Sequence, residues 1–308
     1  MATEVIYAGK RRRVSEESRA GWLAISPWIV GFLIFTLGPV IASLYFSFTK
    51  YDVISSPRWV GLANYRRLFT KDELFPKALW NTFVYTILYV PLHTILALLI
   101  ATLLNEARKA KGIFRTVFYL PSITPAVATA FLWITLLNPN DGLVNRTLRF
   151  LHLPAPAWTV DPNWTKMTVV ISQLWVLGGA MIIFLAALNG VPQTLYEAAT
   201  LDGAGVLRRF WNVTVPMISG VIFFVATVAL INAFQVFTQS YVMFDENGGP
   251  EHSALFAVMY LFQRAFAYFQ MGYAAAIAWV LFVIIVTFTV LQFGISKRFV
   301  YYEAGNDN

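Results

Sequence analysis

The chain has 308 residues, 58% of them hydrophobic and only 13% charged, with a mean hydropathy of +0.61. A soluble domain carries about a quarter charged residues, so this composition excludes an ordinary soluble enzyme and indicates a polytopic membrane protein. No cysteine is present, which removes disulfides, thiolate catalysis and Cys-ligated metals. The net charge of +7 comes from basic residues flanking apolar runs, a topology signal rather than a nucleic-acid footprint.

The tail over 1–20 carries Lys10, Arg11, Arg12, Arg13 and Arg19. Six runs without Asp, Glu, Lys or Arg follow, over 21–48, 80–104, 116–137, 167–188, 214–236 and 271–296. Each has about the length a helix needs to cross hydrocarbon. An all-α protein with six transmembrane helices is expected. The first run is too long for a signal-peptide core, and no small-residue cleavage site follows it.

Alternating loops divide the basic residues. With the N-terminus cytoplasmic, the inner set holds those five, then Arg108, Lys109, Lys111, Arg115, Arg208, Arg209, Lys297 and Arg298, which is 13 of the 23 Lys and Arg. Both termini are therefore placed in the cytoplasm. The domain reading is a basic tail over 1–20 and a first helix with its outer interfacial segment over 21–75. A five-helix core over 76–296 and a polar tail over 297–308, ending in AGNDN, complete it.

Between the first two runs, GLANYRRLFTKDELFPKALWNT spaces Leu68, Leu74, Phe75 and Leu79 among charges, so short helices lying at the membrane interface are expected there. PEHSALFAVMYLFQRAFAYFQ, broken by Arg264, reads the same way. Trp22, Trp28, Trp80, Tyr241, Tyr301 and Tyr302 lie near span ends and suit the aromatic belts. Pro91, Pro121 and Pro125 fall in spans two and three, where kinks are the simplest expectation.

Within the spans, polarity is neutral: Asn81, Thr86, Thr94, Thr124, Thr129, Ser172, Gln173, Asn232, Gln235 and Thr238, the last just past a span end. His93 is the one titratable side chain besides tyrosines, and it is read as a hydrogen-bonded packing residue. Ion-coupled carriers place charge at mid-membrane, and these spans hold none. Amides and hydroxyls beside Trp133, Trp175, Phe234 and Phe237 suit either helix bridging or contact with a hydroxylated solute. No G-x-x-x-x-G-K-[ST] and no H-E-x-x-H occurs, so the chain has no Walker phosphate cradle or helical zinc pair of its own.

The inner segment LYEAATLDGAG, 195–205, stands apart. Thr194 and Glu197 have capping-box spacing, Gly203 and Gly205 offer a left-handed stop, and VLRRFWNV follows before Pro216 opens the next span. A helix–turn–helix at the cytoplasmic surface is expected, either resting on the membrane or serving as a docking knob.

These residues resemble the EAA loop of permease subunits in binding-protein-dependent carbohydrate ABC importers of the type I fold, with Glu197, Ala198, Ala199, Gly203, Val215 and Pro216 matching the signature. GLANYRRLF, ALWNT, FRTVFYLPSITPAVATAFLW, DGLVN, LWVLGGAMIIFLAALNGVP, NGGP and MGYAAAIAW extend the resemblance over about residues 20–300. The chain is similar to the first permease of the maltose and glycerol-phosphate systems.

The resemblance implies a coupling loop over 189–213, with Glu197, Ala198, Ala199, Leu201, Asp202 and Gly203 contacting an ATPase subunit. It implies a substrate path near Ser172, Trp175, Gly179, Asn232, Phe234, Gln235 and Thr238. It also implies alternating access with a second homologous permease, two ATPase copies and an extracytoplasmic sugar-binding protein. ATP and Mg belong to the ATPases and no cofactor to this chain; membrane lipid is a partner and nucleic acid is not. The setting is the bacterial inner membrane. Val176, Gly178 and Gly179 depart from the aromatic-rich stretch of the maltose relative, so the sugar itself does not transfer. Rival readings are a self-contained secondary carrier or channel, a membrane enzyme, and an importer of anions, peptides or charged sugar derivatives.

Overall fold

The computed structural model describes residues 5–106 and 111–296. Arg108, Lys109, Lys297, Arg298, Tyr301, Tyr302 and the AGNDN tail lie outside the described residues, as do the side chains of Lys10 to Arg13 and Lys111. The first span, α1 (Ser18–Ser47), is one unbroken helical path. Pro39 lacks the amide that would close the ordinary ladder, and the helix widens into a π turn at Leu33–Leu37 immediately before it. A two-residue antiparallel ribbon, β1 (Thr49–Lys50) with β2 (Arg58–Trp59), then leads to α2 (Ala63–Thr70) and α3 (Leu74–Glu106). Asp72 Oδ1 accepts the Leu74 and Phe75 amides at 3.0 Å each and caps α3.

Helix α3 runs unbroken through Pro91 and is the hub of the fold. Three spans are bent pairs: the expected kink appears in span three, is absent at Pro91 in span two, and spans four and five bend where none was expected. The first two pairs are α4 (Gly112–Ile123) with α5 (Ala126–Leu136) at 101°, and α7 (Thr165–Leu174) with α8 (Gly178–Asn189) at 49°. Further along, α10 (Val206–Met217) meets α11 (Ser219–Phe234) at 71°. Between the first two pairs lies α6 (Leu143–Phe150), and α9 (Gln193–Leu201) precedes α10. The chain continues through α12 (Thr238–Phe244) and α13 (Ala257–Phe262) into the straight span α14 (Met271–Ser296). By length and apolarity, three helices qualify as spans singly, and up to six if each bent pair is one span.

Two of the bends have a visible structural cause. Thr124 is extended because Pro125 disfavours helical geometry in the residue before it. Gly178 approaches the preceding span so closely that an added Cβ would sit 2.5 Å from the Phe118 carbonyl oxygen. Pro216 does not open the long helix of span five, as expected; it lies in α10, and the axis turns at Ile218.

The outer segments are also corrected. Leu68 and Phe75 do not face lipid but are buried with Leu255, Met259, Tyr260, Tyr273 and Ile277. Amphipathic spacing reports that a face is covered, and here protein covers it. A second cluster joins Tyr85, Ala130, Val169, Val170, Ala233 and Phe256. A third joins Ala97, Leu98, Met181, Phe184, Ile218 and Val225 where α3, α8 and α11 meet.

Candidate functional site

Three constellations carry polar or exposed chemistry, and the hairpin formed by α9 and α10 is the best defined. The expected capping box does not form: Pro192 is the N-cap, its extended geometry already setting the entry, and Thr194 falls inside α9 without a capping bond. The other end is a Schellman turn. The Gly203 amide bonds the Thr200 carbonyl at 3.0 Å, and the Ala204 amide reaches back to Ala199 at 2.9 Å. Gly203 takes φ +76°, a left-handed conformation that glycine adopts without steric cost. Gly205 does not share this role; at φ −65° and ψ 169° it is extended and leads into α10.

Two side-chain rungs tie the hairpin arms together. Tyr196 Oη and Thr214 Oγ1 lie 3.0 Å apart, and Arg209 Nη1 donates to Thr200 Oγ1 at 2.9 Å. Tyr196 packs on the inner cluster, while Thr214 is buried in a π turn at Phe210–Thr214. The opposite surface is open. Leu201 is 90% exposed, Leu207 71%, and Glu197, Ala198, Asp202 and Gly203 are exposed beside them. Ala199 is half-buried. This surface is apolar at its tip and fully accessible in the chain alone.

The second constellation surrounds two breaks: residues 175–177 in span four, and 235–237 where span five ends. They are neighbours, because Trp133 and Leu174 pack on the cluster that includes Ala233 and Val236. Trp175 is 48% exposed and meets Trp133 edge-on at 6.1 Å. Gly179, Asn232 and Gln235 are exposed, and Thr238 is half-buried. Two of the expected path residues point elsewhere. Ser172 is fully buried with its hydroxyl on the Val169 carbonyl at 2.8 Å, and Phe234 is 2% exposed and stacked on Phe288 at 5.3 Å. Within a span, non-helical backbone is tolerated where protein or a cavity surrounds it. His93 is buried against Tyr89, but its Nδ1 has no hydrogen-bond partner, contrary to the expectation of a bonded packing residue.

The third constellation ties the segment between spans one and two to α13 and α14, and sequence reasoning missed it. Tyr260 and Tyr273 both donate to Asp72 Oδ2, Arg264 lies 4.0 Å from that oxygen, and Arg264 Nη2 donates to Tyr260 Oη at 2.6 Å. Arg67 stacks 4.3 Å over the Tyr273 ring, so protein holds it in place. Burial pushes the Asp72 carboxyl up. The two tyrosine hydroxyls, the Phe75 amide and the Arg264 charge outweigh that and hold it below the ordinary carboxylate value. Nearby, Asn81 donates to the His252 and Leu255 carbonyls at 2.9 and 3.0 Å, and Lys166 Nζ reaches Asn81 Oδ1 at 3.4 Å. No local spacing signals these pairs; Tyr260 and Asp72 are 188 residues apart. Among the described residues, no group of three or more His, Cys, Asp or Glu is placed to hold a metal.

Interrupted spans around a central helix, with an exposed hairpin between spans four and five, define a membrane permease. The fold agrees with that of a solved bacterial ABC transporter involved in import of the acidic polysaccharide alginate. That match has a TM-score of 0.79 at 24% identity, covering 94% of this chain and all of the other. The family described as "Binding-protein-dependent transport system inner membrane component" matches residues 93–301, and the chain belongs to that family.

It is 42% identical over 297 residues to the probable ABC transporter permease protein YesP of Bacillus subtilis (strain 168), covering 96% of both chains. It is 32% identical to the lactose transport system permease protein LacF of Rhizobium radiobacter, covering 90% of this chain and 94% of the relative. The arabinooligosaccharides transport system permease protein AraP of Halalkalibacterium halodurans is 34% identical, at 90% and 88% coverage.

Proposed function

We propose that this chain is the first-type permease of a sugar importer. With a second, homologous permease it forms the path through the inner membrane, its termini in the cytoplasm. Two copies of an ABC ATPase bind and hydrolyse ATP with Mg, and an extracytoplasmic sugar-binding protein delivers the solute. The chain is not itself an enzyme and holds no cofactor of its own.

The observation that carries this reading is the exposed hairpin. Leu201 and Leu207 stand exposed on a hairpin that also carries charged and polar side chains, apolar groups of the kind a protein contact covers. Glu197, Ala198, Ala199, Leu201, Asp202 and Gly203 are its coupling surface, seated in the ATPase and moved by nucleotide-driven closure. The path residues are Trp175, Gly179, Asn232, Gln235 and Thr238 around the adjacent breaks, with Ser172 and Phe234 shaping it from behind. Neutral amides and an exposed indole face suit hydroxylated rings and hold them weakly enough for release. Relatives named for lactose and arabinooligosaccharide transport support a saccharide cargo.

The test is the ATPase activity of the co-purified complex in nanodiscs, wild type against Gly203→Asp, with the binding protein and a panel of saccharides. Co-purification with an ATPase and a second permease, saccharide stimulation, and loss of coupling in Gly203→Asp are expected. A chain that purifies alone and moves solute without nucleotide overturns the reading.

A further inference from the structure

The hairpin has to transmit displacement as well as make contact, and the rungs described above determine where displacement goes. Its tip is closed by the Schellman turn at Gly203, a rigid end with both terminal carbonyls satisfied. Behind the tip, Arg209 bridges to Thr200, and farthest from the turn Tyr196 meets Thr214 at 3.0 Å. The last of these differs from the others in its surroundings. Thr214 is buried, and Tyr196 lies against the cluster containing Leu188, Val191 and Ile218.

Thr214 is also where the chain changes geometry. The π turn at Phe210–Thr214 ends there, the Ile218 amide bonds the Thr214 carbonyl at 3.1 Å, and the axis turns by 71° between Met217 and Ser219. A π turn inside an α-helix is a local irregularity often found at functional positions. Helix α11 beyond the bend ends at Phe234, and Asn232 and Gln235 lie at that end.

We infer that the Tyr196–Thr214 pair is the pin that makes α9 and α10 one rigid lever, so that displacement of the tip rotates span five about Ile218. The inference rests on the coupling role proposed above. Tyr196 and Thr214 are positioning residues: they touch neither nucleotide nor solute and act through the helix they fix. Without the pin, only the Arg209–Thr200 rung and the turn at the tip join the arms, so the start of α9 can swing on the short link at Gly190–Pro192 away from the end of α10, and part of the tip motion dissipates within the hairpin. One hydrogen bond is enough to matter, because a half-buried pair of this kind shifts an equilibrium by about three- to tenfold.

The experiment uses the whole complex in nanodiscs and reads solute moved per ATP hydrolysed. Tyr196→Phe and Thr214→Val each remove one side of the pair and nearly preserve shape, and Thr214→Ser keeps the hydroxyl. Both deletions should leave ATPase retention and basal hydrolysis at wild-type levels and lower the transport ratio by about three- to tenfold. The double variant should be no worse than either single one, because the two residues act as a unit. Thr214→Ser should restore coupling, which a general packing role for Thr214 does not predict.

A second readout covers variants that assemble poorly. The chain has no cysteine, so spin labels at Gln193→Cys and Asn212→Cys, with exposed cysteines of the partner subunits replaced, report the distance between the arms. A narrow distribution that broadens in Tyr196→Phe is expected. Additive losses, unchanged coupling in both single variants, or an unchanged arm distance in Tyr196→Phe overturn the pin. A wild-type complex that fails to retain an ATPase or to respond to the binding protein sinks the coupling role instead.

Discussion

Adjacent glycines at the span-four break give a controlled test of the packing argument. At Gly178 an added Cβ would lie 2.5 Å from the Phe118 carbonyl oxygen, 2.7 Å from Tyr119 Cα and 2.7 Å from Ser122 Oγ. Two of these three neighbours are backbone atoms and cannot rotate aside. Each distance is about 1 Å inside the 3.5–4.0 Å optimum for carbon contacts. Helix α8 must therefore back away from the turn at Leu120–Ile123, or the turn must open. Forced overpacking costs about 1–3 kcal/mol. The gain from replacing glycine by alanine in a helix, at most about 1 kcal/mol, offsets only part of it. A Cβ at Gly179, one residue on, meets nothing within 4 Å. Gly178→Ala should thus lower the thermal midpoint of the purified protein by several degrees, at about 2–4 °C per kcal/mol for a large domain. Gly179→Ala should leave it unchanged or raise it slightly. Equal midpoints for the two variants would show that the close approach does not bend span four.

Other expectations follow from the hairpin and the outer cluster. Gly203→Ala forces a Cβ into the left-handed region and should destabilise the turn by about 1–2 kcal/mol, read as faster amide exchange over 199–205; Gly203→Asn should do less harm, and equal exchange in both would count against the Schellman turn as the rigid end. Asp72→Asn removes a charge that two tyrosines and Arg264 serve and should cost about 2 kcal/mol, measured as a lower denaturation midpoint near pH 7. Because the folded-state pKa of Asp72 is depressed, its contribution is present above the ordinary carboxylate value and is lost as pH falls through the folded value. The acid limb of the stability curve should therefore flatten in Asp72→Asn, and an unchanged limb would remove Asp72 from the outer clamp. Asn81→Leu leaves the His252 and Leu255 carbonyls without their donor and should cost about 1–3 kcal/mol, with new protease cleavage in 245–256 as the readout.

Membrane spans were legible in the sequence because the absence of charge over about twenty residues has one physical meaning in lipid. Their bends were only partly legible. Pro125 broke span three, yet Pro91 sits inside an unbroken helix and the bend at Trp175 contains no proline. Proline removes one donor, and whether the helix then turns depends on neighbours that no local window includes. The hairpin was readable in outline from Gly203, but its cap was misassigned, since Thr194 and Pro192 both make plausible starts and proline's fixed φ favoured the latter. Outer segments were read as lipid-facing because a charged-apolar alternation gives a face without naming what covers it. Asp72, the counter-charge to Arg264, lay on the far side of four spans in sequence, and only the fold brings them together.

Span one has a consequence for how the protein is made. Its most apolar stretch buries none of its residues against the rest of the chain, and its contacts with α14 come from the segment Gly38–Ser47. A helix so placed gains its stability from the bilayer or from another subunit. It is therefore competent to insert as an isolated unit before α14, its one substantial neighbour, has been synthesised. Orientation can then be set by the basic residues preceding it rather than by packing. In biogenesis this span is a founding anchor: it commits the chain's topology first and finds its intramolecular partner last.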